Sequence, residues 1–259
     1  MPLIELRKLT FEYSDGTRIF ENIDWSVQAG EAWSVLGPSG CGKTTLLYLL
    51  AGLRMPTEGS ILIAGEELER PRPQTGLILQ DYGLLPWATI RENAMLGLRM
   101  RGFYGPDGKH APEDEVVQDS EYHVDSWLER MGLSSVADQY PGQVSGGQRQ
   151  RTAIARTLSL NPDLLLMDEP FASVDAPTRE TLQDLILELR AERDLTTIVV
   201  THAIEEAALL GKKILLLGSI PNRDVRIFSN PQAGQGSFRA SSEYNKVCSQ
   251  LRNNLEQVP

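Results

Sequence analysis

Between the apolar run Ala32, Trp33, Ser34, Val35, Leu36 and the helix-like stretch Thr45 to Leu53, the chain reads GPSGCGKT, residues Gly37 to Thr44. No other feature restricts the fold so tightly. A strand that enters a glycine-rich loop and leaves it as a helix points several backbone N–H groups, and the positive end of the helix dipole, at one spot. Such a spot takes phosphate oxygens. The spacing is that of the phosphate-loop pattern G-x-x-x-x-G-K-[ST], in which Lys43 reaches the outer phosphates and the Thr44 hydroxyl is placed to ligate Mg²⁺.

The rest of the chain fits an α/β protein around that unit. Its 259 residues suffice for one large α/β domain or two small ones. Apolar runs at Ala32 to Leu36, Leu77 to Leu79, Leu164 to Met167, Ile198 to Val200 and Ile214 to Leu217 do not alternate with polar residues. That pattern belongs to parallel strands buried on both faces. Before them, Leu3 to Leu9 and Ile19 to Val27 are β-type runs separated by Ser14-Asp15-Gly16 and closed by Ala29-Gly30, which predicts an antiparallel flap. Pro177 opens a helix that places Leu182, Leu185, Ile186 and Leu189 on one face. From about residue 81 to about 160 helical signals replace strand signals: Thr89 and Glu92 form a capping-box pattern, and Val124, Trp127, Leu128 and Met131 recur at helical spacing. Phe103 to Asp119, rich in Gly, Pro and acidic residues, reads as an exposed loop. The tail from about Phe238 carries Val247 and Leu251 on one side of a helix.

Composition excludes several classes. No segment approaches the roughly eighteen consecutive apolar residues of a membrane span, and MPLIELRKLT lacks a signal-peptide layout, so a cytoplasmic location is expected. Cys41 and Cys248 are too few for a disulfide framework or a thiolate metal site, although Cys41 in the phosphate loop raises sensitivity to oxidation. A formal net charge of -10 argues against a general nucleic-acid binder, which rewards clustered Lys and Arg. His110 and His123 match no pattern, and Glu205 and Glu206 read as an exposed helix face.

Two further elements bear on the phosphate site. Leu164 to Met167 end in Asp168 and Glu169, two carboxylates at the C-terminal edge of a buried strand, where open α/β sheets hold ligands. By themselves they are either a site or a helix cap. Beside a phosphate loop, Asp168 suits a metal-anchoring role and Glu169 a base or water-positioning role. Val144 to Gln148 then read VSGGQ, followed by RQRTAIARTL; Ser145 can cap the helix that follows while Gly146 and Gly147 let its N–H groups approach an anion.

VSGGQ closely resembles the LSGGQ signature of ATP-binding cassette (ABC) ATPases, with Val144 in place of leucine. The resemblance runs from about residue 3 to about 230. It implies a phosphate-loop NTPase core of mainly parallel sheet, an N-terminal antiparallel β subdomain and an inserted helical subdomain at about 81–160. One ATPase domain would span 1–230, and a partly helical tail 231–259. The ATP-binding residues carried over are Tyr13, as the aromatic that stacks on adenine, and Gly37, Pro38, Ser39, Gly40, Cys41, Gly42, Lys43, Thr44 and Thr45. Mg²⁺ would fall to Thr44, Gln80 and Asp168, catalysis to Glu169, His202, Lys43 and Gln80. Gln80 resembles the Q-loop glutamine and His202 the switch histidine that contacts the γ-phosphate. Leu79 precedes Gln80 where phenylalanine is usual, and Ala203 follows His202 where many members have Asp. Ala172, Ser173, Val174 and Asp175 resemble the D-loop. In the family two cassettes pack head to tail, so Ser145, Gly146, Gly147, Gln148 and Asp175 would touch the ATP of a partner copy.

The stretch QDYGLLPWATIRENAMLGLRMRG and the run DEPFASVDAPTR are similar to the ATPase subunits of bacterial importers for nitrate, sulfonates and taurine. That implies a homodimer peripheral on the inner face of the plasma membrane, working with separate permease subunits and a solute-binding protein, without nucleic acid. Leu84 to Trp87 are then either the groove that receives a permease helix or plain core packing. The alternative is a non-transport cassette acting on nucleic acid or the ribosome; such proteins usually show coiled coils, zinc-finger cysteines or basic surfaces, none of which is present.

Overall fold

The computed structural model describes residues 1–113, 120–172 and 174–256, without the side chains of residues 120 and 121. Ser173 of the D-loop-like run, residues 114–119 of the acidic loop and 257–259 of the tail lie outside the described residues. The chain opens with β1 (Ile4–Glu12) and β2 (Arg18–Val27), then passes through β3 (Ala32–Leu36) into α1 (Lys43–Leu50). β4 (Glu58–Ile63), β5 (Glu66–Glu67) and β6 (Thr75–Ile78) follow, then α2 (Ile90–Tyr104), α3 (Ser120–Arg130) and α4 (Gly146–Leu158). The remainder is β7 (Leu164–Asp168), α5 (Ala176–Arg193), β8 (Thr196–Thr201), α6 (Ile204–Leu210), β9 (Lys213–Leu216), β10 (Arg226–Ser229) and α7 (Ser242–Glu256).

These elements form two compact units. The first comprises Met1–Pro71, Leu166–Glu169 and Leu187–Pro259; the second comprises Arg72–Leu165 and Pro170–Ile186. The boundaries therefore fall inside β7 and α5.

In the first unit, β1 pairs antiparallel with β2 and β4, giving a sheet of order β2-β1-β4-β5. Along β2, Ile23, Trp25 and Val27 are buried while Asp24 and Ser26 face out, the period-two pattern of a sheet covered on one side. The flap is thus larger than the two runs legible in the sequence. In the unit's second sheet β10, β9, β3, β8 and β7 lie side by side in that order, with β3 parallel to both β8 and β9 and β10 antiparallel to β9. Every residue of β3, β7 and β8 is buried, which is why apolar and small residues fill them without alternating with exposed polar ones. α7 lays Val247, Cys248 and Leu251 on Ala207 and Ala208 of α6, with Leu36, Ile214, Leu216 and Phe238 closing the cluster. The amphipathic reading of the tail matches that face.

The second unit is largely helical. α2 begins with the reciprocal cap expected from Thr89 and Glu92, whose bonds measure 3.2 and 2.8 Å. Val124, Trp127 and Leu128 of α3 are buried, as is Met131 just beyond its end. Leu182 and Ile186 of α5 are buried and Leu185 is half-buried. β6 ends at Ile78, so Leu79, read from the sequence as strand, belongs to the loop that carries Gln80. Among the described residues no helix is long and apolar enough to cross a membrane.

Candidate active site

In the first unit the phosphate loop leaves β3 at Gly37 and enters α1 at Lys43, two residues before the helix start read from the sequence. Pro38, Ser39 and Gly40 form an exposed crest, whereas Cys41, Gly42 and Lys43 are buried. Gly42 is the N-cap of α1 at φ 101°, and a methyl there would run into the Ile19 side chain, so only glycine fits. No side chain caps α1, which leaves the N–H groups of its first turn for an external acceptor. The Lys43 ammonium donates to the Gly37 and Pro38 carbonyls, 2.8 Å each, and lies over the loop it serves. Burial pushes the Cys41 thiol up, opposed by the neighbouring Lys43 charge. That shift disfavours the thiolate, the form through which a cysteine is oxidised.

Behind the loop, the Asn222 side chain is buried and fully engaged. Its amide donates to the Cys41 carbonyl at 2.9 Å and the Ile19 carbonyl at 3.2 Å, and its oxygen accepts from the Gly218 N–H at 2.9 Å. It therefore fastens the phosphate loop to β2 and to the segment after β9. Tyr13 follows β1 rather than lying on it; its hydroxyl is 2.8 Å from that of Thr45, a buried residue of α1, and the Arg54 guanidinium sits 4.9 Å from its ring centroid.

β7 delivers the carboxylates. Asp168 is buried, and the Thr44 hydroxyl donates to it at 3.2 Å. Burial pushes the Asp168 carboxyl up; the Thr44 bond and the Lys43 charge oppose this, and the Glu169 charge adds to it. A desolvated carboxylate beside a hydroxyl is a hard-oxygen pair that suits a small divalent cation. Glu169 has φ 43°, a left-handed conformation uncommon outside glycine, and its N–H donates to the Val200 carbonyl at 2.9 Å. The turn aims its carboxylate at the exposed His202, with Oε1 3.0 Å from Nδ1. His202 follows β8, where the buried Thr201 hydroxyl donates to Glu206 at 2.8 Å and accepts the Ala203 N–H at 3.0 Å. Glu206 is thus buried in α6, contrary to the exposed face expected for it, because it receives that hydroxyl; Glu205 is exposed as expected.

In the second unit, Gln80 is exposed and leads into a turn in which Tyr82 and Gly83 have φ 66° and 55°. The Arg156 guanidinium of α4 donates to both of their carbonyls, at 2.7 and 2.6 Å. At the other end of α4, Ser145 is the exposed N-cap: its hydroxyl accepts from the Gln148 N–H at 3.2 Å, and the Gln148 side chain accepts from the Ser145 N–H at 2.9 Å. Gly146 is half-buried. Gly147 is buried, and a methyl on it would come 2.5 Å from the Thr178 methyl. Asp175 accepts from the Thr178 N–H at 3.1 Å and the Thr178 hydroxyl at 2.9 Å, capping α5; these bonds hold its carboxyl below the usual range. Pro86 and Trp87 are exposed while Leu84 and Leu85 are half-buried.

Asn222 and Arg156 escaped the sequence reading, and Glu206 was misplaced by it. Asn222 meets partners 181 and 203 residues away, beyond any local pattern. The signal for Arg156 was weak: a cation in the last turn of a helix, between Ala155 and Thr157.

A phosphate loop on β3 with a strand-end acidic pair at β7 defines a nucleoside-triphosphatase of the α/β class. The chain belongs to the ABC transporter family, whose profile matches residues 20–172. It is 38% identical over 237 residues to the taurine import ATP-binding protein of Ruegeria pomeroyi, covering 90% of this chain and 83% of that protein. The corresponding Escherichia coli K12 protein is 40% identical over 221 residues, covering 85% and 82%. Among solved structures, a bacterial ABC transporter cassette in dimeric form superposes with TM-score 0.75 at 30% identity, over 87% of this chain and 98% of that one. A post-hydrolysis cassette dimer bound to ADP and Pi gives TM-score 0.73 at 29% identity, over the same shares. The protein is an ABC transporter ATPase.

Proposed function

We propose that this chain hydrolyses ATP as the nucleotide-binding subunit of an importer, on the inner face of the plasma membrane, energising uptake of a small solute such as taurine, a related sulfonate or nitrate. The observation that carries the hydrolytic part is the Glu169–His202 pair, 3.0 Å apart, on the sheet that also presents Lys43, Thr44 and Asp168. The loop from Gly37 to Gly42 and the first turn of α1 bind the phosphates, Lys43 spreads charge on the γ-phosphate, and Thr45 supports Tyr13 under the adenine. Thr44, Asp168 and Gln80 would hold Mg²⁺, which would neutralise phosphate charge. Glu169 orients a water and takes its proton as the water oxygen bonds to the γ-phosphorus; the bond to the bridging oxygen breaks and ADP leaves. His202, fixed by Glu169 and by the Thr201–Glu206 contact beneath it, holds the γ-phosphate.

The reading places two copies head to tail, with Ser145, Gly146, Gly147, Gln148 and Asp175 closing over the partner's ATP. Solved relatives in dimeric form support a dimer, and the exposed Ser145 at the N-terminus of α4 supports this face as part of it. Trp87, 74% exposed, supports a docking surface for the permease; core packing accounts for Leu84 and Leu85 alone. The test is affinity purification from native membranes together with uptake of labelled taurine, an aliphatic sulfonate and nitrate. Co-purification of membrane-spanning subunits, with uptake of one of these solutes lost on deletion, is expected. Co-purification with nucleic acid instead would overturn the transport reading.

A further inference from the structure

α1 leaves the phosphate loop at one end and delivers a cation at the other. Past its C-terminus Gly52 has φ 69° and donates its N–H to the Leu49 carbonyl at 3.1 Å, while the Leu53 N–H donates to the Tyr48 carbonyl at 2.9 Å. This pair of bonds ends a helix and turns the chain back. Only glycine fits, because a methyl at residue 52 would come 2.6 Å from the Arg70 backbone. Beyond the turn, the Thr57 N–H donates to the Thr10 carbonyl and the Thr57 hydroxyl accepts from the Glu12 N–H, 2.8 Å each. Arg54 is thus carried between two anchors, one on α1 and one on β1.

From there its guanidinium lies over the Tyr13 ring, 4.9 Å from the centroid. Other contacts fix the same residue. The Tyr13 backbone bonds to Thr17 and Gly16 across the hairpin turn, 2.9 Å each, and its hydroxyl meets that of Thr45 at 2.8 Å. The buried Phe11 stands against the ring at 82°, with centroids 5.0 Å apart. Arg54 is exposed, and among the described residues no carboxylate pairs with it, so the ring is what the guanidinium rests on. A cation over an aromatic face is attracted by the ring quadrupole. A ring held in this way has already lost the freedom that stacking of a ligand would otherwise have to remove.

We propose that Arg54 is a positioning residue for the base: it occupies one face of the Tyr13 ring and leaves the other to adenine, so that affinity for the base depends on a side chain outside the phosphate loop. This rests on the role given above to Tyr13. Arg54 touches neither the phosphates nor the attacking water. α1 then serves both parts of the nucleotide, with Lys43 and Thr44 at its start, Arg54 just past its end, and about 12 Å of helix between them.

The experiment uses the full chain and the variant Arg54→Leu, with Arg54→Gln repeating it should the apolar replacement aggregate. The KM for ATP should rise about two- to fivefold while kcat stays within about twofold. Inhibition of ATP hydrolysis by magnesium tripolyphosphate, which carries the phosphates without a base, should keep its native inhibition constant. Combined with Tyr13→Ala, the Arg54 change should add no further loss, because both act through one ring. A native KM in the Arg54 variants overturns the proposal. So does an equal weakening of tripolyphosphate, which would place the guanidinium on the phosphates, and so do losses that multiply in the double variant. Tyr13→Ala alone separates the two readings: if it leaves the KM for ATP unchanged, the stacking role of Tyr13 fails, whatever Arg54 does.

Discussion

Glu169 joins two constraints that rarely meet at one residue. Its backbone is held left-handed by a bond to Val200, and its side chain is held by His202, so the carboxylate is aimed before any substrate arrives. Glu169→Gln keeps the size and the turn but removes the carboxylate proposed as the base. Hydrolysis should fall about a hundredfold to ten-thousandfold with ATP binding retained, as read by steady-state phosphate release and by equilibrium binding. Asn222 tests the other side of the site. Its truncation to Ala leaves the Cys41 and Ile19 carbonyls and the Gly218 N–H without their buried partner, which should lower stability by about 3 kcal/mol in urea titration. It should also weaken ATP binding, because Cys41 belongs to the loop that holds the phosphates. The residues legible from sequence alone were those with a fixed spacing and a local chemical reason, such as Lys43 and Thr44. Glu206 was misread because two adjacent glutamates at a helix start carry no sign of which one turns inward. The hydroxyl that decides it sits on Thr201, at the end of the preceding strand.

Among the elements, the buried strands were read correctly because burial on both faces writes itself as an apolar run, as in β3 and β7. β4 and β5 were missed for the converse reason. Glu58-Gly59-Ser60 carries no strand pattern, and the segment becomes a strand by pairing with β1, at Ile4 with Ile63 and Leu6 with Ile61. α7 lies between these cases. Its Val247 and Leu251 spacing marked an amphipathic helix, but what it covers became visible only in the fold. It packs on α6, the helix that starts two residues after His202, and the Tyr244 hydroxyl donates to the Glu205 carbonyl at 3.0 Å. Leu251 is wholly buried there, so Leu251→Ala should destabilise the protein by about 2–5 kcal/mol, measured by chemical denaturation. Because Leu36 lies in the same cluster, one residue before the phosphate loop, the variant should also lose ATP affinity.

At the scale of the whole molecule, the net charge of -10 and the exposed aromatic surface of the second unit concern partners rather than folding. Trp87 has three-quarters of its surface in solvent, so Trp87→Ala should leave stability within about 0.5 kcal/mol and the ATPase rate of the isolated chain within about twofold. In the assembled transporter the same change should depress solute uptake while hydrolysis continues, measured side by side in proteoliposomes. A large stability loss would mean that the indole is packed in the folded protein.

In the proposed dimer, the reciprocal hydrogen bonds of Ser145 and Gln148 bear on how fast two copies would engage. Because each side chain satisfies the other's backbone, the turn already has its working shape in a solitary chain, and the entropy of ordering it is settled during folding. Engagement then requires no local rearrangement at this spot. Its tempo would follow collision frequency and nucleotide supply, and a cell could set the working rate by abundance alone.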